Sequence, residues 1–417
     1  MTFHYLAQWA QLLSFREVNF ATPSFKWQLQ NVNSNQFTEK HMNKKLIALA
    51  IASALAAPVA MADGGNVKIS GQMNFSYDLI KGNAGGTQNQ TMSNVSSNSS
   101  NIVFSGDEDL GNGLKAVWQV QTYFTGGGTG NTDTSCDVGS SLGCGNTFAG
   151  LTGGFGGVYL GKNDTPFKTI GRKVDLFNNT LGDSRNLISS ATLVNAAGTA
   201  VAANGSWDLR PSSMVWYASP SMSGFQVIAG YSTNTAAGAN STSATSATSV
   251  AAMYANGPVF AGLAWEKHQV GGTNDAPKAW RLSGGYDFGV AKVVALYEDT
   301  KNTTAAANTD DDRKVWGLGA AFKLDAANTL KAQYYKAKDI GNVSNTGASM
   351  WALGADHAMS KRTTAYVTYA RTNNKNGDST SNVFPAYSVS ASGHGDNAGS
   401  VGTQATSGVS VGMIHNF

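Results

Sequence analysis

Polar and apolar residues alternate along much of the chain, and the polar or charged ones are the first candidates to act on a ligand. Two further candidates are acids in the longest stretch without this alternation. Fixed charges that face water sort small ions by sign, so the chemistry they offer is electrostatic selection. Asn101 and Ser105 share the polar phase without charge and would weaken this selection. The full set is Lys68, Asn101, Ser105, Lys115, Lys162, Asp175, Asp183 and Arg281.

Catalysis fits the chain poorly, because a nucleophile needs a base and an orienting group within reach. His357 and His415 fall on the apolar phase of their segments, and His268 and His394 fall between segments without an acidic or serine partner pattern. The sequence has neither an H-E-x-x-H nor a G-x-S-x-G motif. We therefore expect no enzyme activity, no cofactor and no metal site.

Two cysteines, Cys136 and Cys144, lie in a stretch rich in glycine, serine and threonine. Disulfides persist in secreted proteins, and closing so short a ring would stabilise the fold by about 2–3 kcal/mol in the chain-entropy model. Two free thiols, or a metal pair without other ligands, are the alternatives, and we favour the disulfide.

The composition of the 417 residues excludes the common protein classes. Only 13% of residues are charged and 48 are glycine, yet the mean hydropathy is −0.20. Soluble domains carry about 25% charged residues, and helical membrane proteins need apolar runs of about 20 residues. Scattered apolar residues suit a β-barrel with one face in lipid and the other in water.

A secretory leader accounts for the longest apolar run. A basic start at residues 42–45 precedes an alanine-rich apolar core, and Ala60-Met61-Ala62 has the A-x-A form of a cleavage site. We therefore expect residues 42–62 to be a signal peptide cut after Ala62, and residues 1–41 to be untranslated upstream sequence. Without residues 1–62 the formal charge falls from +3 to zero, so nucleic acid is not an expected partner.

Period-two alternation predicts strands along the rest of the chain. In the first, Val67, Ile69 and Phe75 share one face, while Lys68 and Ser70 share the other. About sixteen segments of this kind follow each other, an even number as single-chain bacterial barrels require. They are 67–79, 101–106, 113–124, 146–152, 155–162, 213–219, 224–233, 249–256, 259–267, 278–287, 290–299, 315–324, 329–338, 349–358, 363–371 and 408–417.

Short and long connections alternate between these segments. Short ones include 111–113 and 256–258, and long ones include 81–100, 163–212 and 372–407. Membrane barrels have short periplasmic turns and long external loops, and in lipid an open sheet edge is not viable, so the last strand must pair with the first. Phe417 ends the chain on the outward phase. Tryptophans 118, 216, 265, 280, 316 and 351 are predicted to face outward as well.

Several motifs resemble the general porins of Gram-negative bacteria, closest to the β-proteobacterial type. They are 100–111 (SNIVFSGDEDLG) followed by 113–118, 157–162 (GVYLGK) before 165–167, 217–225 (YASPSMSGF), 360–363 (SKRT) with Tyr366 and Tyr369, and the terminal 411–417 (VGMIHNF). The resemblance spans residues 63–417, and the SKRT turn and the final phenylalanine are its more specific parts.

The resemblance implies a sixteen-stranded antiparallel transmembrane β-barrel in the outer membrane, assembled as a homotrimer. Its third loop, here Asn163 to Ser212 with Asp175-Leu-Phe177, folds inward and narrows a channel for ions and small hydrophilic solutes. A terminal aromatic such as Phe417 is read by the barrel-assembly machinery. Outer-membrane lipids and lipopolysaccharide are the surrounding partners.

Two other functions remain open from the residues alone. A surface adhesin or structural barrel would use its external loops, and a barrel enzyme is less favoured still. Gly285, Gly317, Gly319 and Gly354 fall on the inward phase. Small inward residues leave space inside a barrel, which favours a channel over a filled interior.

Overall fold

The computed structural model describes residues 66–84, 87–124, 142–188, 192–194, 200–203, 207–233, 244–270, 276–301, 312–341, 343–375, 384–385, 387–389 and 405–417. Residues 1–65, with Ala62 and the leader, and Cys136 lie outside the described residues. The cleavage site and the disulfide therefore stay predictions.

In the first half of the chain, the described residues form ten strands and two short helical turns. The strands are β1 (Asn66–Ala84), β2 (Thr87–Ser97), β3 (Asn101–Gly111), β4 (Leu114–Tyr123), β5 (Thr147–Gly153), β6 (Gly156–Lys162), β7 (Thr192–Val194), β8 (Ala200–Ala203), β9 (Met214–Ala218) and β10 (Phe225–Thr233). Helix α1 (Pro166–Arg172) and a 3-10 turn (Ser184–Asn186) lie between β6 and β7. Among the described residues no helix is long and apolar enough to cross a membrane.

The described residues of the second half form ten further strands, nine of which belong to the same large sheet. They are β11 (Ala244–Asn256), β12 (Val259–Val270), β13 (Lys278–Asp287), β14 (Ala291–Lys301), β15 (Arg313–Lys323), β16 (Asn328–Ala337), β17 (Ala348–Ala358), β18 (Thr363–Asn374), β19 (Phe384–Pro385) and β20 (Thr406–Asn416). All paired neighbours are antiparallel, and β19, β7 and β8 form a separate small sheet.

The large sheet closes into a barrel because β20 pairs with β1 along its whole length, from Gln72 opposite Asn416 to Lys81 opposite Ser407. The backbones of Gly71 and Phe417 exchange two hydrogen bonds of 3.1 Å at the end of this seam. Strands β2 and β3 lie in line, and both pair with β1, so they count as one barrel strand. The predicted sixteen-stranded antiparallel barrel is therefore confirmed.

The predicted loop at 81–100 is wrong. Strand β1 continues to Ala84 and β2 returns from Thr87, so the first hairpin extends through most of that stretch. The outward positions of β2 include Thr91, Ser93 and Ser97. They pair with Lys81, Leu79 and Phe75 of β1. Hydropathy could not reveal β2, because each of its faces carries a single apolar residue, Met92 or Val95, among polar ones.

Side chains alternate between an exposed apolar outer face and an inner face of small or polar residues. On β13, Trp280 and Leu282 are exposed, while Arg281 and Ser283 are buried. Trp216 is the exception among the six tryptophans predicted to face outward. It pairs with Tyr159 and Gly230 on the inner phase, while its neighbours Val215 and Tyr217 are exposed. Both faces of strand β9 carry apolar residues, so the sequence pattern could not show which face points into the barrel.

Candidate functional site

The loop that follows β6 folds into the barrel and packs on its inner wall. Helix α1 begins with Thr165, whose side-chain oxygen caps the amide of Lys168, and with Pro166 in its first turn. Phe167 N donates to Ser249 Oγ of β11 at 3.1 Å. Phe167 and Ile170 form an apolar cluster with the wall residues Ala251 and Ala264. The inward fold of the third loop is thus confirmed, and this segment defines the candidate constriction.

The inward loop packs against glycines on the inner face of the barrel, which we call glycine seats. A Cβ at Gly354 would lie 2.7 Å from Phe177 Cε1, one at Gly319 would lie 3.0 Å from Leu176 Cδ1, and one at Gly408 would lie 2.9 Å from Leu181 Cδ1. The interpretation of Gly317, Gly319 and Gly354 as makers of open space is therefore wrong. Gly319 and Gly354 make room for loop side chains, and Gly317 makes room for the ring of Tyr335 on the next strand.

Arg281 anchors the loop from both ends and does not line an open pore. Its Nη1 donates to Phe167 O at 3.0 Å and to Asp208 Oδ1 at 2.7 Å, so it holds both the helix and the returning segment. Its Nε donates to Glu298 Oε2 at 3.0 Å, and Arg313 Nη2 reaches the other oxygen of Glu298 at 2.8 Å. Arg281 is 0% exposed. Its prediction as a lumen charge is wrong, because the loop and the wall enclose it.

The tip of the loop carries two arginines held by one carboxylate. Arg172 Nη1 lies 2.8 Å and Arg185 Nη2 lies 2.9 Å from the same oxygen of Asp183. Both guanidinium groups also donate to Asn179 Oδ1, at 2.7 and 3.0 Å. Burial alone would raise the pKa of Asp183, but Arg185 and Arg172 hold it well below its usual range. Asp183 therefore stays ionised over the physiological pH range, next to the two charged arginines.

The two predicted acids lie in the loop but are buried. Asp183 is 0% exposed, and Asp175 is 8% exposed. Asp175 accepts hydrogen bonds from Phe177 N at 2.9 Å and from the amide and hydroxyl of Ser184 at 3.0 and 2.9 Å, which tie the turn together. Burial and then the charge of Asp183 raise the pKa of Asp175 to about 6. These acids shape the loop, and their side chains are not exposed to the pore.

A second acid shared by two bases lies at the start of the loop. Asp164 Oδ1 lies 2.9 Å from Lys168 Nζ and 2.8 Å from Arg210 Nε. Burial opposes ionisation of Asp164, but Lys168 and Arg210 lower its pKa well below the usual value. Each of these two carboxylates thus pairs with two cations, although Arg172 also lies 3.9 Å from Asp175. Over residues 163–212 the five basic side chains exceed the four acids by one.

The other predicted residues lie on β1, β3, β4 and β6. Lys68 and Ser105 are register partners on β1 and β3, and Asn101 pairs with Gln72 on the same inner phase. Lys115 is exposed near the turn after β3 and pairs with Asp107 at 3.0 Å. Lys162 ends β6 on the phase of Val158 and Leu160, which are exposed on the outside. This register does not support Lys162 as a lumen residue.

Several site residues escaped the sequence analysis. Arg172, Arg185 and Asp208 belong to the loop, and the concentration of charged residues between 163 and 212 was the available signal. Glu298 could have been found because it falls on the inner phase of β14, directly opposite Arg281. His268 was predicted to lie between strands without a partner. It lies in β12, stacks on Trp207 at 4.3 Å and lies 2.8 Å from Glu266 Oε1.

Comparison with known proteins gives consistent matches. A family model for Gram-negative porins matches residues 48–377. Outer membrane porin protein 32 of Delftia acidovorans is 29% identical over 388 residues, which cover 90% of this chain and 100% of that protein. Major outer membrane protein P.IB of Neisseria meningitidis is 30% identical over 344 residues, which cover 78% of this chain and 92% of that protein.

Solved structures share the fold. The anion-selective porin from Comamonas acidovorans superposes with a TM-score of 0.64 at 24% identity and covers 85% of this chain and 100% of its own. OmpT of Vibrio cholerae superposes with a TM-score of 0.60 at 14% identity and covers 87% of this chain and 100% of its own. At these identities the likeness concerns the barrel architecture.

Proposed function

The chain belongs to the Gram-negative porin family, and from that membership we propose that its outer-membrane channel passes small hydrophilic solutes with a mild preference for anions. Members of this family are channels, so an enzymatic function has no support, and no observation favours an adhesin. The observation that carries the anion preference is the unequal exposure of opposite charges on the inward loop.

Basic side chains of the loop reach water, while most of its acids do not. The side chains of Arg172 and Arg185 are 18% and 11% exposed, whereas those of Asp175 and Asp183 are 0% exposed. Lys173 is exposed at the end of α1. Field lines from partly exposed charges reach the solute path, and a positive constriction attracts anions. The relative from Comamonas acidovorans is described as anion-selective, which agrees in direction.

The preference should be mild because the inner faces of β1 and β3 are uncharged around Gln72 and Asn101. Gln72, Asn101 and Ser105 lie there on the inner phase, with Lys68 as a single cation toward the turn end. The wall acids Glu266 and Glu298 are fully buried, so they add little negative field to the path. Apart from Lys68, the positive charge that supports the preference therefore lies on the loop.

The zero-current potential across a salt gradient in a planar bilayer tests the preference. The native channel should give a moderate potential of the sign for anion preference. Arg172→Gln together with Arg185→Gln should move it toward zero, and Asn101→Arg, which charges the neutral wall, should move it the other way. Lys115→Gln is the matched control, because Lys115 lies at the mouth and is paired in water. Cation preference in the native channel, or no shift in either direction, overturns the proposal.

We also propose that Lys162 contributes to anion passage, and Lys162→Ala measures this contribution in the same assay. Its place on the outer phase argues for a small effect. If Lys162→Ala shifts the potential as much as the loss of Arg172 and Arg185, the loop is not the main source of selectivity.

Assembly and maturation form a second group of proposals. We infer a homotrimer embedded among outer-membrane lipids and lipopolysaccharide, folded by the barrel-assembly machinery. We also infer that residues 1–41 are untranslated, that residues 42–62 are removed, and that the barrel domain is 63–417 with a Cys136–Cys144 disulfide. The intact mass of protein purified from the membrane tests the last set. A chain starting upstream of Asp63, or two free thiols, would exclude the corresponding inference.

A further inference from the structure

The last external loop, between β18 and β20, joins the constriction loop in one small sheet. Phe384 and Pro385 of β19 pair with Val194 and Leu193 of β7, and β7 pairs in turn with β8. Strands β7 and β8 belong to the inward loop, so two loops that are distant in sequence share backbone hydrogen bonds. A sheet of this kind fixes their relative position.

Three residues that follow β19 are buried against the inward loop. Tyr387 is 3% exposed and belongs to an apolar cluster with Val174, Leu187 and Ile188 of the inward loop and with inner-wall residues of β14 to β17. Val389 is 0% exposed and belongs to a second cluster with Phe177 and Leu181 of the same loop and Ile80 of the wall. We call Tyr387, Ser388 and Val389 the wedge, because they pack with the loop and the wall together.

The wedge is fastened to the two barrel strands that flank it. Asn374 Nδ2 donates to Tyr387 O at 2.9 Å, and Tyr387 N donates back to Asn374 Oδ1 at 3.3 Å. Val389 N donates to Thr406 Oγ1 at 3.0 Å. Asn374 ends β18 and Thr406 begins β20, so the position of the wedge is set by the barrel and not by the inward loop alone.

We propose that the wedge determines the size limit of the channel by filling the space beside the inward loop, where it packs with both the loop and the wall. Close-packed interiors do not tolerate empty volume, so a loop deprived of its wedge relaxes toward the space left behind. That movement is away from the solute path and widens it. Tyr387 and Val389 are therefore specificity-determining residues that act through the position of the constriction loop, without touching the solute.

Truncation of the wedge tests this directly. Tyr387→Ala with Val389→Ala should raise the single-channel conductance and speed the entry of larger neutral sugars in liposome swelling. Tyr387→Phe keeps the ring and should behave as the native channel. Val409→Ala on the outer face of β20 is the matched control, because its side chain packs on neither loop. Native conductance and a native sugar limit in the folded double variant overturn the proposal.

A cross-link provides a second measurement that does not depend on truncation. Phe384→Cys with Val194→Cys places two thiols at paired positions of β19 and β7, within the reach of a disulfide. Ala200 pairs with the other side of Val194, so Phe384→Cys with Ala200→Cys puts the thiols two strands apart, about 9–10 Å. The first pair should cross-link in membranes and leave the conductance unchanged. The second pair should not cross-link. Absence of the first cross-link, or equal cross-linking of both pairs, contradicts the proposal.

Discussion

Asp208 Oδ1 lies 2.7 Å from Arg281 Nη1, and this buried ion pair ties the returning end of the inward loop to the barrel wall. Arg281 also holds the carbonyl of Phe167 at the other end of the loop. One side chain on β13 therefore fixes both ends of the constriction. The inward loop is therefore bonded to the barrel wall at both of its ends.

Loss of Asp208 should loosen the loop. Asp208→Ala removes one ionic partner of the buried Arg281 guanidinium. Breaking a buried ion pair in this way costs about 3–5 kcal/mol of stability. We expect a lower free energy of unfolding and a noisier open channel, measured by denaturant titration and by bilayer recording. Asp107→Ala breaks an exposed pair near the turn after β3 and should change little. Equal destabilisation by both variants would show that Asp208 is not an anchor.

A methyl group at a glycine seat should push the loop into the pore. Gly354→Ala places a Cβ 2.7 Å from Phe177 Cε1 and 3.0 Å from Val367 O, and overpacking of this kind costs about 1–3 kcal/mol. We expect lower single-channel conductance. Gly284→Ala is the control, because its Cβ would meet Phe260 O at an ordinary 3.4 Å. The seat model fails if the two variants conduct alike.

The strand pattern was largely predictable because lipid and water impose opposite demands on successive residues. The segment 278–287 matches β13 at both ends, and most other segments differ by a few residues. Strand β2 was missed because its outward residues Thr91, Ser93 and Ser97 are polar. Alternation detects a strand only where one face is apolar.

Selectivity should depend on pH through Asp175. Its pKa is raised to about 6, so the carboxyl is mainly ionised at pH 8 and mainly protonated at pH 5. Protonation removes negative charge next to Arg172, so the anion preference should increase as the pH falls. Asp175→Asn should give the low-pH potential at both pH values. If the variant keeps the full pH dependence of the zero-current potential, another group is responsible.

The ring of Phe417 should matter for assembly separately from its backbone. Deletion of Phe417 removes the ring and the two hydrogen bonds with Gly71, whereas Phe417→Ala removes the ring alone. If the assembly machinery reads the terminal aromatic, both variants should lower the amount of heat-modifiable barrel in the membrane. A normal level for Phe417→Ala with a reduced level for the deletion would assign the effect to closure of the barrel.

The candidate site was harder to predict than the barrel, since its charges do not follow the alternation. Asp175, Asp183 and Arg281 were expected to face the pore, and all three are buried. Their burial results from the packing of the loop on the wall, which depends on contacts between residues far apart in sequence. The partly exposed Arg172 and Arg185 lie in the same loop, but only the fold shows that they share Asp183.

Single-channel recording of the purified native protein in a planar bilayer tests the central claim most directly. A barrel narrowed by an anchored inward loop predicts discrete conductance steps of uniform size that grow with salt concentration, and a homotrimer predicts closure in equal sub-steps. Folded, heat-modifiable protein that inserts into the bilayer without conductance steps would contradict the account.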